Sequence, residues 1–394
     1  MARAAGISRH YGLDWLRIGA FLLLILYHIG LYFSPWNWLV KSAEPVGWVS
    51  YPMLFVTPWR LTLLFVVSGY ASHAMLDKLV SPGAFARMRS LRLLVPLAFA
   101  MAVIIPPQSW IRLKVLGLHD GPFLHFWLSD YFRFGTLHGI ALPEWEHLWF
   151  VAYLWAYTML LTGAVAWLPA QLVAEIARRF ETLAQGWRLL WIPLAFFICV
   201  RVAMTFTVSE AHGLFDDWTG DAMYIPAFLF GFGFARTPAL WPAIARLWKP
   251  SLVLAFAAYA VLAWVEALYP GKAIPPHDMM ALDRAAMMAM MWSMTLVLLH
   301  AANTWLNRDA RWRAPLSEAV FPVYILHQTM IVVIGWWLLP SGLSNTTQFI
   351  LMFAGTVISC GVFYAIGAQI GVVRPLIGLN ARSRIRPAII ASAT

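Results

Sequence analysis

The sequence predicts an all-α polytopic membrane protein, because of its composition, the length of its apolar segments and the placement of its basic residues. Of its 394 residues, 61% are hydrophobic and only 12% are charged. An average soluble domain carries roughly 25% charged residues. The composition therefore excludes a soluble globular protein and favours a chain that folds in lipid.

Ten segments are long and apolar enough to cross a bilayer as helices. A hydrocarbon core about 30 Å thick is spanned by roughly 20 apolar residues, because a helix satisfies its own backbone hydrogen bonds there. The predicted spans cover residues 14–34, 51–76, 91–108, 147–168, 187–207, 222–236, 250–269, 284–305, 319–339 and 347–371. No soluble domain interrupts them, so residues 1–394 are predicted to form a single integral-membrane domain.

Basic residues concentrate at the N-terminus, in every second connection and at the C-terminus, and short basic connections stay in the cytoplasm. The residues are Arg3, Arg9, Lys78, Arg87, Arg89, Arg92, Arg178, Arg179, Arg188, Arg236, Arg246, Lys249, Arg308, Arg311, Arg313, Arg374, Arg382, Arg384 and Arg386. The other connections are richer in acid, notably at Glu210, Asp216, Asp217 and Asp221. Both termini are therefore predicted to be cytoplasmic. The net charge of +10 reflects this topology and gives no reason to invoke nucleic acid.

The first predicted span carries ionisable residues within LDWLRIGAFLLLILYHIGLYF. Arg17 and His28 lie within about 20° of one helical face and about 16 Å apart along it, and Asp14 lies one turn from Arg17 on nearly that face. Ionisable groups in a span usually line a pathway or a site. The alternatives are an Arg17 that pairs with Asp14 or reaches the headgroups, and a structural hydrogen bond for His28. Histidine is also the side chain best suited to exchange a proton near neutral pH.

Two later spans carry further polar residues at their outer ends or in their middle. The second span has Arg60 at a depth similar to that of His28, with Ser68 deeper, and a buried arginine needs an anionic or carbonyl partner. In the ninth span, FPVYILHQTM places Tyr324, His327 and Gln328 on one helical face. These groups are expected to line a cavity, and the alternative is ordinary hydrogen bonding between helices.

The outer connection 109–146 is rich in aromatic residues and histidines and leads into EHLWF, which holds Glu146, His147 and Trp149. Aromatic faces with polar edges suit a sugar ring, which is apolar on its faces and hydroxylated around its rim. The alternative is an interfacial aromatic belt, which membrane proteins commonly build. The segment is therefore a candidate for binding a glycan.

A cluster of arginines precedes the third predicted span, in FARMRSLRLLVP. Arg89 and Arg92 are one helical turn apart, and Arg87 lies close by in sequence. This spacing lets guanidinium groups grip one phosphorylated ligand. The alternative is that these arginines only set the topology and bind anionic membrane lipids.

These motifs together resemble the bacterial membrane O-acyltransferases called acyltransferase type three. The resemblance covers nearly the whole chain and rests on LDWLRIGAFLLLILYH, LLFVVSGY, RSLRLLVP, EHLWFVAYLW, PAFLFGFGFAR and FPVYILHQ. Arginine, ten residues and then histidine is the most specific of these elements. WRLTLLFVVSGY and FPVYILHQTMIVV look most like a branch of the family that is thought to succinylate periplasmic glucans.

The resemblance implies a multi-pass enzyme of the bacterial inner membrane. Such an enzyme transfers an acyl group from cytoplasmic acyl-CoA, here succinyl-CoA or acetyl-CoA, to a hydroxyl of a periplasmic glycan. His28 matches the family's proposed catalytic histidine, Arg17 its partner in the motif, and Arg89 with Arg92 the proposed coenzyme A contacts.

Acyl transfer from a thioester to an alcohol needs a base, donors for the developing oxyanion and a grip on the donor's phosphates. We expect His28 to be the base and Arg60 to stabilise the oxyanion or hold an acyl carboxylate, with Arg17 beside the donor. Residues expected to hold the donor are Arg87, Arg89, Arg92, Tyr324, His327 and Gln328. Residues expected near the substrates are Asp14, Ser68, Glu146, His147 and Trp149. Transient acylation of His28 or Ser68 is the alternative to direct transfer.

A transporter or flippase for a glycan or a lipid-linked substrate is the competing class, because an ionisable stripe also describes a transport pathway. The sequence shows no inverted repeat, which argues against it. A catalytically silent partner in polysaccharide export is a weaker third alternative. No metal is expected, since Cys199 and Cys360 are too few and too far apart for a cysteine site. Apolar surfaces that face lipid and those that face another subunit look alike, so a homo-oligomer is compatible with the sequence.

Overall fold

The computed structural model describes residues 10–79, 81–208 and 213–381. This part of the chain is built almost entirely from helices, which confirms the predicted all-α polytopic class. Several residues used in the orientation argument lie outside the described ranges, namely Arg3, Arg9, Glu210, Arg382, Arg384 and Arg386.

Fourteen α-helices follow one another along the described part of the chain. They are α1 (Tyr11–Phe33), α2 (Ser50–Leu76), α3 (Pro82–Phe99), α4 (Pro106–Val115), α5 (Phe123–His125), α6 (Trp149–Trp167), α7 (Ala170–Leu183), α8 (Arg188–Thr205), α9 (Trp218–Arg236), α10 (Leu240–Leu268), α11 (His277–Thr304), α12 (Arg313–Leu338), α13 (Asn345–Gln369) and α14 (Val373–Leu376). A two-stranded antiparallel hairpin, β1 (Gly135–Leu137) and β2 (Ile140–Leu142), follows α5. Shorter helical turns cover Gly47–Val49, Ala100–Ile104, Phe126–Asp130, Glu146–Leu148 and Leu339–Ser341.

Eight helices of the described ranges are long and apolar enough to cross a membrane, and there are nine if a bent pair forms one span. The bent pair joins Pro82–Ile104 to Pro106–Val115 at an angle of 42°. The sixth predicted span appears as α9, which has Asp221 in its first turn and Arg236 in its last. The count of ten spans and the cytoplasmic termini stay predictions.

The bend between α3 and α4 follows from the prolines at its corner. Pro106 has no N–H to donate to the preceding turn, so the regular ladder of hydrogen bonds stops there. The Ala102 carbonyl, four residues before Pro106, accepts instead from Trp127 Nε1 at 2.8 Å. Thr329 of α12 donates its hydroxyl to the Ile104 carbonyl at 3.0 Å. Gln108 donates to Thr329 Oγ1 at 2.6 Å, and Gln328 donates to Gln108 Oε1 at 2.9 Å. The bend is thereby fixed to α12.

Helices α2 and α9 approach closely because glycines stand at their contact. A Cβ atom at Gly69 would collide with the carbonyl oxygen of Phe228, and one at Gly231 would collide with that of Val66. Small residues of this kind let helix backbones meet in a membrane, where packing replaces the hydrophobic driving force. The contact holds α2, which carries Arg60 and Ser68, in the centre of the bundle.

Helix α7 lies between predicted spans and is an amphipathic helix that the sequence analysis did not predict. Leu172 and Ile176 are exposed, with 44% and 51% of their surface accessible, while Phe180 packs on Phe230 at 5.8 Å between ring centroids. Arg179 pairs with Glu175 at 2.6 Å on the polar face. An exposed apolar stripe beside a charged face is typical of a helix that lies in the membrane interface.

Candidate active site

Helix α1 connects two regions of the bundle, which are called here the Arg17 side and the His28 side. It packs against α2, α11 and α12, so both of its polar ends face other helices. Near its start, Asp14 Oδ2 accepts a hydrogen bond from Arg313 at 2.7 Å, and Arg17 donates to the Ser317 hydroxyl. Near its end, His28 meets α12 again. The predicted stripe therefore contacts α12 at both levels.

A chain of hydrogen bonds fixes the protons of His28 and His327. His327 Nδ1 lies 2.7 Å from the Tyr324 carbonyl oxygen, which can only accept, so Nδ1 carries the proton. His327 Nε2 is then the acceptor for His28 Nδ1, at 3.1 Å. This assignment from the network leaves the lone pair of His28 on Nε2. An imidazole nitrogen in that state is able to remove a proton from a substrate.

His147 holds the same carbonyl from the other side. Its Nε2 lies 3.0 Å from the Tyr324 oxygen and 3.2 Å from that of Ile325, and the Tyr324 hydroxyl donates to the His147 carbonyl. The rings of His147 and His327 are 5.0 Å apart. The imidazole cluster therefore comes from α1, α12 and the turn before α6, and hydrogen bonds to backbone oxygens hold two of its rings in place.

Arg60 of α2 supplies a positive charge beside this cluster. Its side chain is buried, and its Cζ lies 3.8 Å from the centre of the Tyr27 ring. Tyr27 in turn contacts His28, with 5.7 Å between ring centroids. Within the described ranges, Arg60 Nε and Nη1 are buried without a hydrogen-bond partner. Buried donors of a charged group are costly to leave unsatisfied, so Arg60 is suited to meet an oxyanion or a carboxylate.

A cavity of about 500 Å³, called here the donor cavity, lies on the Arg17 side. Its polar lining residues include Asp14, Arg17, Ser68, Arg89, Arg92, Ser317, Glu318, Arg374 and Asn380. Other parts of its wall are aromatic, with Phe21, Phe150 and Tyr324. A cavity lined by several arginines and by apolar and aromatic side chains suits a ligand that carries phosphates and a long apolar chain.

The arginines of FARMRSLRLLVP do not all reach the donor cavity. Arg89 is 7% exposed, and its Nη2 donates to Thr158 Oγ1 at 3.5 Å, while Arg92 lies one turn further along the cavity wall. Arg87 is exposed and lies outside the residues that line the cavity. The helical phase explains the difference, because Arg87 stands about 200° from Arg89 on α3.

Tyr324 separates the donor cavity from the imidazole cluster. Its ring lines the cavity beside Phe21, at 5.2 Å between centroids, and stacks on His327 at 5.8 Å. It is 3% exposed, and its hydroxyl is bound by His147. The Tyr324 ring therefore contacts both the donor cavity and the imidazole cluster.

The structure places the remaining sequence candidates around this core. Glu146 has φ of 44°, a left-handed conformation that is unusual for a residue other than glycine, and lies 3.7 Å from Arg112. Strained residues of this kind cluster at functional sites. Trp149 packs on Tyr153 at 4.9 Å. Gln328 faces α4, where it donates to Gln108, so its place in donor binding stays a prediction.

Sequence reasoning missed contributors from distant parts of the chain. Arg374 and Glu318 line the donor cavity, although the sequence predicts only a topological role for Arg374. Trp38, from the loop after α1, stacks over His28 at 6.4 Å. No local spacing could have joined these residues to the site. Over the described ranges, no group of three or more His, Cys, Asp or Glu side chains is arranged to hold a metal ion.

Comparison with known proteins assigns the chain to a family. Residues 10–365 match the family model described as an acyltransferase domain. The chain is similar to the glucans biosynthesis protein C of Escherichia coli strain SMS-3-5 / SECEC, with 24% identity over 382 residues that cover 92% of this chain and 90% of the relative. The protein of that name from Escherichia coli O9:H4 strain HS gives the same identity and coverage. No solved structure matches the chain. The resemblance predicted from the motifs is confirmed, and the chain belongs to this acyltransferase family of multi-pass membrane proteins.

Proposed function

We propose that this protein is an O-acyltransferase of the bacterial inner membrane. It moves an acyl group from a cytoplasmic acyl-CoA to a hydroxyl of a periplasmic glycan, and His28 acts as the general base. The observation that carries the proposal is the chain from the Tyr324 carbonyl through His327 to His28, since it leaves the lone pair on His28 Nε2. The relatives named glucans biosynthesis protein C favour a glucan as the acceptor.

In this proposal the Arg17 side faces the cytoplasm, as the positive-inside rule predicts. Arg89 and Arg92 hold the phosphates of coenzyme A by charge-assisted hydrogen bonds at the wall of the donor cavity. The thin pantetheine arm then lies along the cavity past Arg17 and Ser68 towards Tyr324. The Tyr324 ring turns aside to let the thioester meet His28, because its ring lies between the cavity and the imidazole cluster.

His28 Nε2 takes the proton of the acceptor hydroxyl while the hydroxyl oxygen forms a bond to the thioester carbon. The carbonyl electrons move to oxygen, and Arg60 stabilises the oxyanion through Nε and Nη1, which the protein otherwise leaves unsatisfied. The intermediate collapses to the ester as the carbon–sulfur bond breaks, and His28 returns its proton to the departing thiolate. A succinyl group gives Arg60 a second role, because its carboxylate can bind the same guanidinium.

The acceptor approaches on the His28 side, beneath Trp38 and beside the segment with Glu146, His147 and Trp149. Aromatic surface next to carboxylates suits a sugar, whose hydroxyls need acceptors and whose ring faces are apolar. His147 also helps to position the base, because its Nε2 bonds the same Tyr324 carbonyl that orients His327.

The proposal is tested with purified protein in liposomes, with radiolabelled succinyl-CoA or acetyl-CoA and a glucan acceptor. His28→Ala should lower the rate of acyl transfer about 10²–10⁴-fold, which is the usual contribution of a general base. The matched control is His277→Ala, an exposed histidine at the start of α11 whose ring packs on Phe206 at 5.0 Å between centroids, outside the cluster and outside the connection 109–146. Transfer that persists at the wild-type rate in folded His28→Ala protein contradicts the assignment of the base.

Mass spectrometry of cell-envelope glycans, with and without the protein, identifies the acyl group and the acceptor together. We expect loss of a succinyl or acetyl ester from a periplasmic glucan. Movement of unmodified glycan across the liposome membrane, without binding of acyl-CoA, would instead favour the transporter alternative.

A further inference from the structure

The chain beyond α13 folds back under the bundle and closes part of the donor cavity. This closing segment comprises residues 370–380 and includes α14. Ile377 is fully buried, and Leu379 is 6% exposed. Gly378 has φ of +79° and lies so close to the Phe321 ring that a Cβ atom would collide with it. The segment is therefore packed against the rest of the protein, and part of the cavity wall is formed by Gly378, Leu379 and Asn380.

Arg374 of the closing segment is held in a fixed orientation. Its Nε donates to the Asn380 carbonyl at 2.7 Å, and its Nη1 donates to the Ala368 carbonyl at 2.8 Å. The third nitrogen, Nη2, lies 3.1 Å from Glu318 Oε1. The Arg374 side chain is 15% exposed, whereas that of Glu318 is 44% exposed. The backbone contacts thus fix the guanidinium, while the carboxylate partner is free to turn towards water.

The charges that line the donor cavity do not cancel. Arg17, Arg89, Arg92 and Arg374 contribute positive charge to the lining, and Asp14 and Glu318 contribute negative charge. The Asp14 carboxylate is already bound by Arg313 at 2.7 Å. Glu318 is therefore the acid that competes for Arg374, and a ligand with several phosphates offers a stronger partner than one exposed carboxylate.

We propose that Arg374 is a further phosphate-binding residue of the donor cavity, and that a donor phosphate replaces Glu318 at its Nη2. The inference rests on the proposed function, since it takes the phosphorylated donor as the ligand of this cavity. Two arms of the guanidinium stay on backbone carbonyls, so the third is presented at a defined angle without loss of side-chain freedom on binding. Helix α14 packs against α3, which brings this arginine to the helix that carries Arg89 and Arg92.

The inference predicts opposite effects for the two partners of one ion pair. Arg374→Gln should weaken the binding of coenzyme A roughly tenfold or more, because a charge-assisted hydrogen bond is lost. Glu318→Gln should tighten it, on the order of threefold, because an exposed competitor for the guanidinium is removed. Neither change should affect the binding of pantetheine, which has no phosphate. Calorimetric titration of the purified full-length protein measures all of these affinities.

Arg311→Gln is the matched control, because Arg311 is exposed on the Trp312 ring, at 5.1 Å, and lies outside the residues that line the cavity. Its affinity for coenzyme A should equal that of the wild type. Thermal unfolding of each variant separates lost binding from lost folding, and Arg374→Lys provides a milder change that keeps the charge.

A purely structural ion pair would give a different pattern. Both Arg374→Gln and Glu318→Gln would then lower the unfolding temperature and change the affinity for coenzyme A in the same direction, or not at all, and that result overturns the inference. If the wild type binds coenzyme A and transfers acyl groups while Arg374→Gln binds equally well, the inference fails and the proposed function stands. If the wild type does not bind coenzyme A, both fail.

Discussion

The two sides of the bundle differ in whether the partners of their polar groups can be exchanged for a ligand. On the His28 side, hydrogen bonds to backbone oxygens orient the imidazoles of His147 and His327, and His28 is oriented by His327. On the Arg17 side, the cations surround a cavity of about 500 Å³, and one of their partners is a half-exposed carboxylate. A fixed array suits bond making, whereas exchangeable partners suit the capture of a ligand. The difference predicts that kcat depends on the His28 side and KM for the donor on the Arg17 side.

The largest expected effect within this comparison is at Arg60. Arg60→Gln should lower kcat about 10²–10³-fold, as the loss of an oxyanion donor does in other acyl transfers, and should leave KM for acetyl-CoA unchanged. Initial rates with the purified protein measure both constants. A rise in KM without a fall in kcat would show that Arg60 binds substrate and does not stabilise the oxyanion. It would also contradict the assignment of kcat to the His28 side.

Arg89→Gln combined with Arg92→Gln should raise KM for acyl-CoA roughly tenfold to a hundredfold, because hydrogen bonds to the donor's phosphates are lost. The kcat at saturating donor should stay near the wild-type value. Arg87→Gln is the matched control on the same helix, since Arg87 is exposed outside the cavity lining. An unchanged KM in the double variant would show that these arginines only set the topology and do not bind the donor.

His327→Phe should lower kcat roughly fivefold to tenfold, which corresponds to one hydrogen bond worth about 1 kcal/mol. Phenylalanine keeps the ring that stacks on Tyr324 but removes the acceptor that orients His28. KM for acyl-CoA should not change. Equal kcat for the variant and the wild type would show that the orientation of His28 does not depend on His327.

The smallest effect concerns Lys41, in the loop over the His28 side. Its Nζ donates to the Leu31 carbonyl at 2.6 Å and to that of Ser34, and burial, with a smaller contribution from Lys272, lowers the pKa of Lys41 from 10.5 to about 8. The unfolded chain therefore binds more protons between pH 8 and 10.5, so stability gains as pH rises through that window.

The measurement is the difference in Tm between the wild type and Lys41→Met across this range. The difference should move in favour of the wild type by roughly 1–2 °C as the pH rises, a small amount because Lys41 is half-buried. A constant difference, or one that moves the other way, contradicts the role of burial. In that case Lys41 would not count as a fixed, buried cation, and it would give no support to the contrast between the His28 side and the Arg17 side.

Local periodicity predicted part of the site. The spacing of Arg17 and His28 placed them on one helical face, and both contact α12 in the structure. Tyr324 and His327 likewise face the same interior, although Gln328, one residue further, turns to α4. The period of a helix determines which residues share a face, but it does not determine which other helix that face meets.

Contacts between residues that are far apart in the chain could not be predicted from the sequence. His28 and His327 are separated by 299 positions, and nothing in a single sequence pairs them. Arg374 looked like a topological marker because basic residues at a membrane surface serve both topology and binding. Helix α7 falls within a connection that the sequence predicts to be basic, because its apolar residues form a stripe too short and too interrupted to resemble a span.

The position of the Tyr324 ring has a consequence for the proton permeability of the membrane. A cavity that admits a polar molecule from one side of the membrane also admits water and protons. If it opened onto His28, and so towards the other side, protons would leak across the membrane and dissipate the proton gradient. The ring is 3% exposed and its hydroxyl donates to the His147 carbonyl, so we expect this ring to close the proposed path when no donor is bound. A smaller residue at this position should make liposomes that contain the protein leak protons, even where no acyl donor is supplied.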